Sequence, residues 1–278
     1  MISHRALLRM CRTFVQGCLI VAVCVGNGFA QDSTQKAWDI LKKAASDSNE
    51  DKRAQAVSVL GLIKKSSQAK ALAVNALTSD KKAEVRAAGA NALGDMLAAS
   101  AIPQLKNALK DDDVSVVVAA AHALYMLKQP VAYEVYYAIL AEERKSGQGL
   151  LSDEKKMLSD PKKMAQFGFE QGIGYIPFAG LGVGVIKAVT KDDKSPVRAA
   201  AAKILANDPD PRTAAELVKA ASDKSWIVRA AALDAIARRG DPKLASKIAP
   251  QLDDDKDVVK YAAAAAIIEL NKIAAAKK

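Results

Sequence analysis

The feature that most constrains this chain is its self-repetition. Residues 85–93 read VRAAGANAL, and residues 116–124, 197–205, 228–236 and 259–267 read VVVAAAHAL, VRAAAAKIL, VRAAALDAI and VKYAAAAAI. Copies lie 31 residues apart except across one long gap from Val116 to Val197, and a weaker copy at 52–60 (KRAQAVSVL) stands 33 residues before Val85. A period of this length, returning six times, marks stacked supersecondary units, each burying its apolar face against its neighbours.

Each copy follows an acidic turn: Asp80, Asp111 to Asp113, Asp192 and Asp193, Asp223, and Asp253 to Asp255. Aspartate there is expected to cap the coming helix and complement its positive end. The Val and the small residues after it recur at helical spacing and make one apolar face. Before each turn lies a second amphipathic segment, as in 101–109 (AIPQLKNAL), 212–221 (RTAAELVKAA) and 242–252 (PKLASKIAPQL). Pro103, Pro211 and Pro242 fall near the starts of these segments, where a missing N–H costs little. The unit is helix, turn, helix. Half the residues are hydrophobic but only 5% are aromatic, a balance suited to close helix packing through Ala. The expected class is all-α.

An Asp-rich turn followed by V-R-x-x-A-A-x-A-L resembles the HEAT-like repeats of the type found in phycobilin lyases. The resemblance spans roughly 33–275. It implies an α-solenoid of about six helix pairs, with the second helix of each pair lining the concave face. It also implies a charge ladder between turn Asp and the Arg after Val: Asp80 with Arg86, Asp193 with Arg198, Asp223 with Arg229, and Asp255 with Lys260. Val117 occupies the Arg position in the third copy and interrupts the ladder. Satisfied ion pairs between repeats need no ligand, so these charges read as structural. Lyase activity does not follow, because the likeness is one of repeat type.

Residues 1–30 stand apart. Arg5, Arg9 and Arg12 precede an uncharged apolar stretch around 19–25, and Gly28 and Ala30 are small. This is the layout of a secretory signal peptide, cleaved after Ala30. Cys11, Cys18 and Cys24 all leave with it, which removes disulfides, cysteine nucleophiles and thiolate metal sites from the remainder. The leader holds three of the 41 basic residues and none of the 31 acidic ones, so the rest carries 38 against 31, a net +7. For an exported chain that balance favours solvated surface lysine, or an anionic membrane surface, over nucleic acid.

The gap in the array divides the rest into repeats at 31–145, an insert at 146–191, and repeats at 192–278. Helix-forming residues 131–144 look like the outer helix of a fourth pair whose partner begins only at Pro196. The insert carries Lys155, Lys156, Lys162 and Lys163, then an apolar, glycine-punctuated run containing Phe167, Phe169, Tyr175, Ile176 and Phe178. No charge falls between Glu170 and Lys187, a stretch shorter than the ~20 residues that span a bilayer. Three placements fit: an apolar hairpin packed on the solenoid, over Tyr133, Tyr136 and Tyr137; a contact for a partner protein; or a membrane-surface element with lysines at the headgroups.

Chemistry is harder to find. The run Gly180-Leu181-Gly182-Val183-Gly184 lacks phosphate-loop spacing and a βαβ context. His122 is the one histidine outside the leader, so zinc sites and His-based triads have too few ligands. The Asp runs fall on turns at the repeat period, which capping explains. Trp38 and Trp226 read as packing residues. The expectation is therefore a non-enzymatic binding or scaffold protein of the cell envelope, with no cofactor and no metal. It would engage a protein through the concave face and the insert, or alternatively sit on a membrane through the insert.

Overall fold

A computed structural model describes residues 30–140 and 195–277. The N-terminal part holds α1 (30–45), α2 (Glu50–Val59), α3 (Ser67–Ser79), α4 (Ala83–Asp95), α5 (Ile102–Ala108), α6 (Val114–Met126) and α7 (Val131–Leu140). The C-terminal part holds α8 (Ser195–Ile204), α9 (Pro211–Ala220), α10 (Trp226–Arg239) and α11 (Asp257–Ala276). Short 3-10 stretches link them, among them Leu60–Leu62, Leu205–Asn207, Pro242–Leu244 and Ser246–Asp253. The architecture is an all-α solenoid of helix pairs.

The second helices carry the core. Val85, Leu93, Val116, Leu124, Leu233, Ile236, Val259 and Ile267 are almost fully buried, with the alanines between them. Small residues let the axes close up. At Gly89 of α4 an added Cβ would lie 2.7 Å from the Ala73 carbonyl oxygen and from the Leu77 amide of α3, so only hydrogen fits there. Trp38 and Trp226 pack on this core, half-buried.

Of the turn aspartates expected to cap, Asp113 does so, and most of the others do a different task. Asp47, Asp80, Asp111, Asp223 and Asp254 each accept the N–H two residues on, closing a turn whose third residue is the helix N-cap. Side-chain capping falls to Asp113 among them, and otherwise to Asn49, Ser66 and Asp210. The outer segment at 242–252 is also not an α-helix. Pro250 sits inside Ser246–Asp253, where it has no N–H to give, and the segment winds as 3-10 turns.

The stacking order is not the chain order. Helix α6 packs on α4, α4 on α2, α10 on α8, and α11 on α10. The row is then completed by α11 packing on α2, so that the last helix joins the first pair. Lys36 reaches Asp253 at 2.7 Å and Lys52 reaches Asp257 at 3.1 Å across this seam. Asn271 of α11 donates to Thr34 Oγ1 (2.8 Å) and to the Ala30 carbonyl oxygen (3.2 Å) of α1. The inner row therefore reads α8, α10, α11, α2, α4, α6. The expected fourth pair is not formed among the described helices: α7 packs on α6 at one end of the row and α8 on α10 at the other.

Candidate functional site

The N-terminal ends of the inner helices carry the charge ladder, shifted from its expected pairing. Arg86 does not take the carboxylate of Asp80. Its Nη1 donates to the Asp80 and Lys81 carbonyl oxygens, while Nε and Nη2 grip the Asp111 carboxylate one repeat on, at 2.8 and 2.7 Å. Arg53 does the same with the Asp47 and Ser48 carbonyls and the Asp80 carboxylate. Arg229 binds the Asp223 and Lys224 carbonyls and the Asp254 carboxylate, and adds Asp255 at 2.9 Å. Arg198 pairs with Asp223, whereas Asp193 lies outside the described residues. Lys260 pairs with Asp257 at 2.9 Å, not with Asp255. The reason is reach: an Arg in the first helical turn faces the neighbouring repeat's loop, and its own loop offers only carbonyls. The Arg53 hydrogen bonds hold the Asp80 carboxyl below its usual range. Asp111 is lowered as well, because Arg86 and the Asp113 N–H outweigh its burial. Val117, as expected, breaks the series: it is buried beside Ala121 and Val135.

The opposite ends of the same helices gather charges that are not matched in this way. Asp95 closes α4, Lys64 follows α2, Lys203 lies near the end of α8, Asp234 and Arg238 near the end of α10, and Glu269 and Lys272 near the end of α11. Helix C-termini carry exposed carbonyls and partial negative charge, which favours cations there. Two pairs are satisfied. Arg238 Nε meets Asp234 at 2.9 Å, and Lys272 pairs with Glu269, which also accepts the Lys64 backbone N–H at 2.9 Å. The Lys64 amine is held by the Asp95 carbonyl oxygen. The Asp95 carboxylate and the Lys203 amine have no hydrogen-bond or ion-pair partner among the described residues.

These groups sense one another across the row. Burial pushes the Asp95 carboxyl up, against the pull of Arg238 and Lys64, with Asp234 also in range. Burial pushes Lys203 down to about 8, opposed by Asp234 and Asp95 and reinforced by Arg238. Lys64 is lowered for the same first reason. Four helix-to-helix steps at ~9 Å would set α8 and α4 about 35 Å apart in a flat row. Yet α10 touches the Leu60–Leu62 turn that ends α2, and Lys64 beside that turn reaches both the Asp95 carbonyl oxygen and Glu269, so the row is curved and its C-terminal ends converge into a mouth.

Large apolar side chains stand exposed at, or next to, these C-terminal ends. Leu97, Tyr125, Tyr133 and Ile204 are 59%, 48%, 49% and 67% exposed. Tyr125 meets Tyr133 edge-on at 5.8 Å and lies 6.4 Å from the His122 ring, an exposed rim residue. Leu97 has φ 53°, a left-handed conformation that favours glycine, and the corresponding residue after α10 is Gly240 with φ 67°. Its N–H and that of Ala98 close the end of α4 on the Gly94 and Leu93 carbonyl oxygens. A branched apolar side chain thus stands in solvent at a strained position.

The sequence held a signal for the mouth that capping and motif arguments pass over. Counted from the repeat Val, the seventh position is Asn91, His122, Lys203, Asp234 and Ala265. The eleventh is Asp95, Met126, Asn207, Arg238 and Glu269. These positions are four apart, hence on one helix face, and they vary among copies that are otherwise uniform.

The insert residues named above, Lys155, Lys156, Lys162, Lys163, Phe167, Phe169, Tyr175, Ile176 and Phe178, lie outside the described residues, as does the leader. Among the described residues no group of three or more His, Cys, Asp or Glu is placed to hold a metal ion. No described helix is long and apolar enough to cross a membrane.

Comparison with known proteins gives a family. A family model described as HEAT repeats matches residues 37–125, 72–146 and 183–268. No curated protein matches the sequence. Among solved structures, the complex of CpcE and CpcF of phycocyanin lyase from Nostoc sp. PCC7120 is 20% identical, covering 84% of this chain and 93% of that one, with a TM-score of 0.33. Human deoxyhypusine hydroxylase in complex with glycerol is 14% identical over 91% of this chain and 99% of that one, with a TM-score of 0.34. The expectation of a non-enzymatic chain is corrected here, since the structures it is similar to are those of a lyase and a hydroxylase. Their activities are not carried over at that distance.

Proposed function

Because this chain belongs to the HEAT-repeat family, we propose that it is a binding module of the cell envelope that holds a segment of a partner protein in the mouth of its inner helix row. The observation that carries this reading is the rim. Leu97 and Ile204 expose large apolar side chains around a charged floor whose groups are incompletely paired. Binding sites combine apolar contact area with a few polar groups that fix orientation, and partner hot spots sit where such groups become desolvated. Repeat stacks use their inner surface in this way. Export rests on the basic and apolar leader at 1–30, and predicts a mature N-terminus at Gln31.

A photo-crosslinking residue placed at 97 or 204 is the test, with the outer-face position Lys70 as the control. The expected result is one defined protein crosslinked from 97 and 204, absent from 70, and lost in Leu97→Asp. Equal labelling from all three positions, or capture indifferent to Leu97→Asp, would sink the reading. Removing residues 148–190 leaves capture intact if the inner face alone carries binding. N-terminal sequencing of the exported protein checks the leader.

A further inference from the structure

Two cations in the mouth have more donors than partners. The Lys203 amine has none among the described residues, and Arg238 gives only Nε to Asp234, leaving both terminal guanidinium nitrogens unengaged there. The charge count points the same way. Lys64, Lys203, Arg238 and Lys272 face Asp95, Asp234 and Glu269, one acid too few even with every carboxyl ionised. Leaving a half-buried charged donor unmatched disfavours the fold. The ladder at the other end of these helices shows that the same fold does match its charges when stability is all that is required.

We infer that Lys203 and Arg238 form an anion subsite that takes a side-chain carboxylate from an acidic segment of the partner. This rests on the reading of the mouth as a partner site and names what it recognises. Two observations favour a carboxylate on a peptide. A monoanion matches the shortfall, whereas the second charge of a phosphate would face Asp234, which is already beside Arg238. The apolar rim at Leu97 and Ile204 suits residues flanking the acid, which a free small acid lacks. Arg238 also lines an adjoining cleft of about 520 Å³ whose charged lining is Arg239 and Lys277 with Asp208 and Asp241, room for the chain on either side of the contact.

The groups facing Lys203 are Asp234 and Arg238 from α10 and Asp95 from α4. A carboxylate ligand requires the charged amine, so affinity should fall as pH rises above about 8.

The test is an unbiased peptide-display selection on the full chain, followed by fluorescence anisotropy with the enriched peptides. The expected peptides carry Asp or Glu beside apolar residues. Lys203→Gln and the peptide Asp→Asn change each weaken binding about tenfold, and the two together little more than either alone. The pH-dependent loss disappears in Lys203→Gln, while circular dichroism and Tm show the variant folded. Peptides that lose affinity with Leu97→Asp but not with Lys203→Gln would overturn the subsite and leave the mouth reading standing. Peptides indifferent to both, or no enrichment, would overturn both. Tighter binding of a phosphoserine peptide would overturn the carboxylate assignment.

Discussion

The inner helices are charged at both ends, and the ends behave in opposite ways. At the N-terminal ends, Arg53, Arg86 and Arg229 each bridge two backbone carbonyls of one turn and a carboxylate of the next, and the carboxyls of Asp80 and Asp111 are held low. At the C-terminal ends, burial holds Asp95 up and Lys203 and Lys64 down, and two groups lack partners among the described residues. The first arrangement joins repeats. The second leaves interaction capacity unused, and the proposed partner site rests on that difference.

Substitutions separate the two ends by size and sign. The largest effect belongs to the ladder: Arg229→Ala should cost about 3 kcal/mol in urea unfolding, because Asp254 and two carbonyls lose their donor in a half-dry setting. Asp255→Ala, at a carboxylate 68% exposed, should cost under ~0.5 kcal/mol. Equal losses would break the comparison.

Lys203→Met should go the other way, gaining about 1 kcal/mol at pH 7, the low end for removing an unmatched group that is part-exposed. The folded amine gives up its proton near 8 and the unfolded one near 10.5, so the penalty is present below 8 and fades between those values. Unfolding at pH 7 and pH 10 reads the difference.

Asp95→Asn and Asp111→Asn should differ in sign at pH 7, each by about 1 kcal/mol. The Asp95 carboxyl titrates above its unfolded value of 3.8, so it weakens the fold once ionised, and the Asn gain vanishes as pH falls to 3.8. Asp111 titrates below 3.8, so its contribution is present above that value and is lost as pH falls through its folded value. Matching signs would remove the distinction between the two ends.

The smallest change is Leu97→Gly. Relief of the left-handed conformation should offset the entropy of glycine and leave a gain near 0.5 kcal/mol in Tm-derived stability, with partner capture lost.

Much of this was legible beforehand. The 31-residue period and the apolar register gave the helix pairs, and Val117 correctly marked the break in the ladder. The ladder residues were readable but their partners were not, since a guanidinium chooses among carboxylates by reach and Asp80 and Asp111 look alike in the sequence. Chain order suggested a fourth pair split by the insert, and missed the seam. That seam depends on Asn271 meeting Thr34 and on Lys52 meeting Asp257, contacts more than 200 residues apart.

The sequence alone determined the class, the repeat unit, the positions of turns and helix starts, and the residues able to pair, because each follows from neighbours within one helical turn. Tertiary structure alone decided the order of the row, its curvature and the state of the mouth charges. Those depend on which C-terminal ends converge, and a charge buried beside others acquires its energy only from that convergence.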